Sequence, residues 1–162
     1  MAVNPPPLNG ATVHLGSLPA SHDSVVVLLV SGRHLVMVRH RDRAWEFPGG
    51  HAEPGEDIEA TARREAWEEA GAELAGLQAV GYYVLPNGHT TVVTCAQAAA
   101  LHPLTGEHET VEVRAFDTLP SDLSFTDGLY AYLLTELGLL NGPDTPRSDP
   151  GEAPPAAGTT TL

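Results

Sequence analysis

Glu65, Glu68 and Glu69 stand at i, i+3 and i+4 in a segment without glycine or proline. In a helix of 3.6 residues per turn they share an arc of about 100°. Ile58, Ala62, Ala66 and Ala70 fall in a stripe beside that arc, so the carboxylates border the side a helix would bury. Like charges at these spacings each cost about 0.2–0.5 kcal/mol on an exposed helix, and more where partly desolvated. Two readings follow. One is a solvated acidic face balanced by Arg63 and Arg64. The other is a site for a hard divalent cation, because Mg²⁺ takes oxygen ligands from carboxylates, waters and substrate phosphates. Just upstream, Gly49-Gly50 let the backbone approach closely, and a carbonyl there can join a coordination shell.

From Gly50 the chain runs GHAEPGEDIEATARREAWEEAGA. This resembles the Nudix box, G-x5-E-x7-R-E-U-x-E-E-x-G-U with U a bulky aliphatic residue. Gly50, Glu56, Arg64, Glu65, Glu68, Glu69 and Gly71 match at the right spacing, seven fixed positions within 23 residues. The departures are at U, where Ala66 and Ala72 are small and bear on packing rather than on chemistry. The resemblance implies a Nudix-type α/β/α sandwich with a mixed β-sheet. It implies Glu65, Glu68 and Glu69 as metal ligands and catalytic carboxylates, the Gly50 carbonyl as a further ligand, and Mg²⁺ or Mn²⁺ as cofactor. Arg64 and Glu56 are expected to form a supporting ion pair between loop and helix. The implied reaction is hydrolysis of a nucleoside diphosphate linked to another moiety, with a nucleoside triphosphate or an ADP-sugar as the type of substrate. Glu68 or Glu69 is a candidate base. Some members use a glutamate outside the box, for which Glu109, Glu112 and Glu107 are the candidates here.

Half of the arginines, Arg33, Arg39, Arg41 and Arg43, lie just before the box. Arg39, Arg41 and Arg43 are the candidates for phosphate contact. Trp45 and Phe47 fit core packing better than base stacking. His40 and His51 are near the site only along the chain, and no histidine pairs with a cysteine or another histidine at zinc-ligand spacing. Pro86 lies about fifteen positions past the box, where the resemblance marks ADP-ribose enzymes, but Pro86-Asn87-Gly88 is already explained as a hairpin turn. The single cysteine, Cys95, excludes an internal disulfide and sits in a strand-like run, Val92 to Ala96, as a small hydrophobe.

The elements that position these residues follow from the pattern. Ser24–Val30 is a buried-strand run, turned by Ser31-Gly32-Arg33 into a partner strand, His34–Arg39. A helix is predicted over Glu56–Ala70, stopped by Gly71. Strands are predicted at Val80–Leu85, Thr90–Ala96 and Thr110–Phe116, and a last helix over about Thr126–Leu139. The domain is expected within residues 10–140. The start (1–9, with Pro5-Pro6-Pro7) and the Pro-rich end (141–162) are expected to be loose.

The 162 residues carry 21 acidic and 8 basic side chains, a formal charge of −13, and every basic one is arginine. That balance excludes a general binder of long nucleic acid and adsorption to anionic membranes. With no signal-like start and no spanning apolar run, a soluble cytoplasmic monomer or homodimer acting on a small nucleotide is expected. A competing class is a catalytically silent Nudix-fold nucleotide sensor, which would be expected to lose box glutamates; Glu56, Glu65, Glu68 and Glu69 are all present. An isomerase on the same fold would want a reactive cysteine, which Cys95 does not suit.

Overall fold

The computed structural model describes Leu8, residues 10–125 and residues 127–139. Val25–Leu29 is apolar at every position and each of these side chains is buried, which makes this run the centre of the sheet. It belongs to β2 (Ser24–Ser31), which pairs antiparallel with β3 (His34–His40) and parallel with β7 (Thr90–Leu101). β6 (Ala72–Val84) follows β7 outward, and β1 (Thr12–Leu15) closes that edge. On the other side, β3 carries both β8 (Thr110–Phe116) and the two-residue β4 (Trp45–Glu46). The short β5 (Gly49–His51) pairs with β2, Val25 opposite Gly50. One parallel pairing among antiparallel ones makes the eight-stranded sheet mixed.

One helix covers each face. In α1 (Ile58–Ala70) the stripe Ala62, Ala66 and Ala70 is fully buried against Val25, Val27, Val36, Val38 and Val92. Methyl side chains let the helix axis sit close to the sheet. Ala66 and Ala72, the two departures from the bulky pattern, both lie in this layer. On the opposite face, Leu129, Tyr130, Leu133 and Leu134 of α2 (Leu129–Glu136) pack on Leu28, Leu35, Met37, Trp45 and Phe47.

Several expected bounds move. The helix begins at Ile58 because Asp57 is its N-cap, its side chain accepting from the Ala60 amide at 2.8 Å; Glu56 is left in the preceding turn. β6 and β7 run longer than expected because the added segments, Ala72–Ala79 and Gln97–Leu101, pair largely with each other. The last helix is shorter than Thr126–Leu139, starting after Gly128; Thr126 lies outside the described residues, as does the expected loose end, 141–162. Leu8, in the stretch expected to be loose, is 1% exposed and joins the α2-side core. Among the described residues no helix is long and apolar enough to cross a membrane.

Gly71 ends α1 with φ 62°, and a Cβ on it would stand 2.3 Å from the His102 carbonyl oxygen. Gly71→Ala is therefore expected to destabilise by about 1–3 kcal/mol through left-handed strain plus the backbone clash. Asp57→Ala should cost only about 1 kcal/mol. Urea unfolding midpoints of the two variants check the order.

Candidate active site

Helical spacing and the closeness of α1 to the sheet bring Glu65, Glu68 and Glu69 to one wall of an open cavity of about 540 Å³. Glu65 is buried, 9% exposed, because it lies next to the alanine stripe. Gly50 makes its space: a Cβ there would fall 2.6 Å from the Glu65 carboxyl carbon. Burial first, and then the charge of Glu69, push the Glu65 carboxyl above its usual range, against the pull of Arg64.

Arg64 binds this cluster together. Its Nε donates to Glu56 Oε2 at 2.6 Å and its Nη2 to Glu56 Oε1 at 3.0 Å, a bidentate pair. Nη2 also donates to the His51 carbonyl at 2.9 Å, and Nη1 reaches Glu65 Oε1 at 2.9 Å and Glu68 Oε1 at 3.0 Å. The expected Arg64–Glu56 ion pair is thus present, and it fastens the loop to the helix. Arg64 beside it is the largest reason why the Glu56 carboxyl falls to about 2.

Glu69 is held from the sheet. Its Oε1 accepts from the Gly49 amide at 2.8 Å, and its Oε2 lies 3.2 Å from Nε2 of the buried His40. Glu69 is also the chief cause that raises the His40 pKa; burial opposes it and Glu46 adds to it.

The far wall is made by the turn after β3 and the loop before β8, with Arg41, Asp42, Glu107 and Glu109 among its residues. The Arg41 amide donates to the Glu109 carbonyl at 3.0 Å and ties the two segments together. Of the three arginines considered for phosphate contact, only Arg41 lines the cavity. Arg39 follows Leu35 and Met37 on the α2 side of β3, opposite to the glutamates, and its Nε pairs with Glu112 at 3.3 Å. Glu112 shares that face and also meets Arg114; partial burial acts to raise its carboxyl, but the two guanidinium groups outweigh it and hold the group low. Strand alternation thus places Arg39 and Glu112, both expected at the site, on the face away from the box glutamates. Arg43 is spent on Glu46, 3.3 Å away, outside the cavity lining. Trp45 and Phe47 are core residues, edge-on to Phe116 and Tyr130. Cys95 is half-buried rather than deep, and its burial pushes the thiol up to about 11, away from reactivity.

Two residues missed in the sequence belong here. His40 faces α1 with Val36 and Val38, and Glu46 lies between the core residues Trp45 and Phe47. Period-two alternation was the available signal for both.

Among the described residues no three His, Cys, Asp or Glu donors already form a metal-binding arrangement. Arg64 occupies the oxygens of Glu65 and Glu68 that face each other, while Gly49 and His40 occupy Glu69. The donor chemistry itself, hard carboxylate oxygens partly withdrawn from water beside an open cavity, fits Mg²⁺ or Mn²⁺.

A NUDIX domain family profile matches residues 20–134, and the chain belongs to that family. It is 33% identical over 103 residues to "Putative 8-oxo-dGTP diphosphatase YtkD" of Bacillus subtilis (strain 168), covering 62% of this chain and 65% of that protein. It is 36% identical over 62 residues to a second "Putative 8-oxo-dGTP diphosphatase" of the same strain, covering 38% of this chain and 42% of that protein. The matches thus span less than two thirds of these curated relatives. A crystal structure of the Bacillus subtilis pyrophosphohydrolase BsRppH superposes with a TM-score of 0.72 at 27% identity, over 79% of this chain and 89% of that one. An ADP-ribose pyrophosphatase from Streptococcus suis shares the fold at 20% identity, TM-score 0.54, over 71% of this chain and 90% of that one.

The Glu56–Arg64 pair carries a pH signature. A folded-state carboxyl near 2, against an ordinary 4.5, stabilises the fold above about pH 4.5, and this contribution is lost as pH falls towards 2. Glu56→Gln should therefore lower stability at neutral pH and flatten the acid limb between pH 4.5 and 2. Chemical unfolding of both proteins across that range checks it.

Proposed function

We propose that this chain is a metal-dependent pyrophosphohydrolase acting on a nucleoside diphosphate linked to another moiety, a nucleoside triphosphate or an ADP-sugar. The observation that carries the reading is the convergence of Glu65, Glu68 and Glu69 on one wall of the cavity, with Arg41 facing them. The names of the two 8-oxo-dGTP diphosphatase relatives favour the nucleoside triphosphate type over an ADP-sugar.

Glu65, Glu68, Glu69 and the Gly50 carbonyl would hold the cation, Mg²⁺ or Mn²⁺. When bound, such an ion neutralises developing charge on the phosphoryl oxygens and acidifies an attacking water. The protein's own groups do the rest. Arg41, exposed at the rim, orients the phosphates. A carboxylate takes the proton of the attacking water as its oxygen bonds to phosphorus and the anhydride P–O bond breaks. Glu68 on the helix wall, or Glu107 or Glu109 on the far wall, is placed to accept that proton. Glu56 and Arg64 act on geometry by holding the loop and Glu65 in place.

Incubation with Mg²⁺ and a panel of nucleoside triphosphates, ADP-ribose, dinucleoside polyphosphates and dinucleotide cofactors tests the reading. Release of a nucleotide monophosphate together with pyrophosphate or a phosphorylated product is expected. Glu68→Gln and Glu69→Gln should each lower kcat by about 10²–10⁴-fold while the fold survives. Nucleotide binding by the wild type without turnover of any substrate would replace the enzyme reading with that of a sensor.

A further inference from the structure

His40 is 3% exposed, the most deeply buried ionisable side chain near the cavity, and the hydrolytic reading gives it no task. It is placed by alternation in β3, where Val36 and Val38 also point at α1 and a bulge follows Arg39. Its Nε2 stands between two carboxylates, 3.2 Å from Glu69 Oε2 and 3.5 Å from Glu46 Oε1. Both carboxylates are largely out of water, their side chains 15% and 9% exposed. Neither contact has good hydrogen-bond geometry, and among the described residues Nδ1 has no partner. Glu46 meets Arg43 through its other oxygen, so Arg43, Glu46, His40 and Glu69 form a chain of successive contacts.

Two carboxylates this far out of water repel unless a donor separates them, and the repulsion would turn one away. Glu69 is the one that matters to the chemistry. Its Oε1 is fixed by the Gly49 amide, but a carboxylate held at one oxygen still rotates about that contact. The polar group within reach of Oε2 is His40 Nε2, 3.2 Å away. We propose that His40 is a positioning residue which, backed by Glu46, locks the Glu69 carboxylate in its cavity-facing orientation for a divalent cation. This rests on the reading of Glu69 as a metal ligand. The lock needs a proton on Nε2, which the neutral Nε2–H tautomer and the imidazolium both carry, so it does not depend on the charge state of the ring.

The test uses Mn²⁺ alone as probe, with free ion counted by electron paramagnetic resonance in the absence of nucleotide. His40→Phe keeps the ring but removes the donor; His40→Gln keeps an N–H at similar reach. With thermal unfolding confirming folded protein, His40→Phe is expected to weaken Mn²⁺ binding about tenfold or more, and His40→Gln to restore it to within about threefold of wild type. A residue that only fills space gives the opposite ranking or none. Equal binding in the two variants, or tighter binding in His40→Phe, overturns the proposal. Should His40→Phe not fold, Glu46→Gln interrogates the bridge from its far end: binding weakened about threefold or more supports it, and unchanged binding overturns it. Absence of Mn²⁺ binding by the wild type overturns the metal reading and this proposal together, whereas wild-type binding without hydrolysis of any nucleotide overturns only the enzyme reading.

Discussion

Negative charge half withdrawn from water along one edge of α1 is the constraint around which the molecule is arranged. The alanine stripe lets the helix sit close enough to the sheet for Glu65 to be buried, and that same closeness removes the water that would otherwise solvate it. A carboxylate in that position needs a fixed partner. Arg64 supplies it with a planar fork that serves Glu56, Glu65, Glu68 and a backbone carbonyl at once. Lysine, a point charge with no fixed plane, would not satisfy that many acceptors in one geometry. The glycines of β5 complete the arrangement from the sheet side. Gly50 leaves room for the Glu65 carboxylate, and the Gly49 amide caps Glu69. Helix, loop and sheet are thus coupled through a handful of side chains, and the fold's stability and the site's geometry depend on the same contacts.

What the sequence makes legible is what repeats or punctuates. The β2–β3 hairpin follows from an apolar run broken by Ser31-Gly32-Arg33, and α1 from a fifteen-residue stretch without breakers ending at Gly71. The box glutamates are readable because a helix fixes their spacing by itself. The short strands β1, β4 and β5 are not, since two to four residues are too few to show a period and the glycines of β5 have no side chains to alternate. The burial of Leu8 follows from a tertiary contact with the α2-side core and leaves no local trace.

The arginines show where reading by proximity fails. Arg39, Arg41 and Arg43 lie within five residues of chain, yet they meet different environments. Arg39 is on the α2 face, where Glu112 and the Trp45–Phe116 edge contact lie; Arg41 is at the cavity; Arg43 is turned back on Glu46. A strand changes face at every residue, and the turn at Asp42, with φ 63°, resets the count. The same rule carries His40, one position beyond Arg39, to Glu69. Proximity in sequence cannot separate these side chains, whereas face assignment does.

The global charge of −13 takes on a different meaning once it is placed. Around the cavity the described lining includes Glu65, Glu68, Glu69, Glu107, Glu109 and Asp42 against Arg41 and two histidines. A polyphosphate approaching that surface unaided meets a wall of its own sign, and Arg41 cannot offset it. Arg64 is already committed to three carboxylates and the His51 carbonyl. On the proposed reading, this local acidity makes nucleotide binding conditional on a divalent ion that the glutamates recruit, so the metal gates binding of the substrate as well as its chemistry.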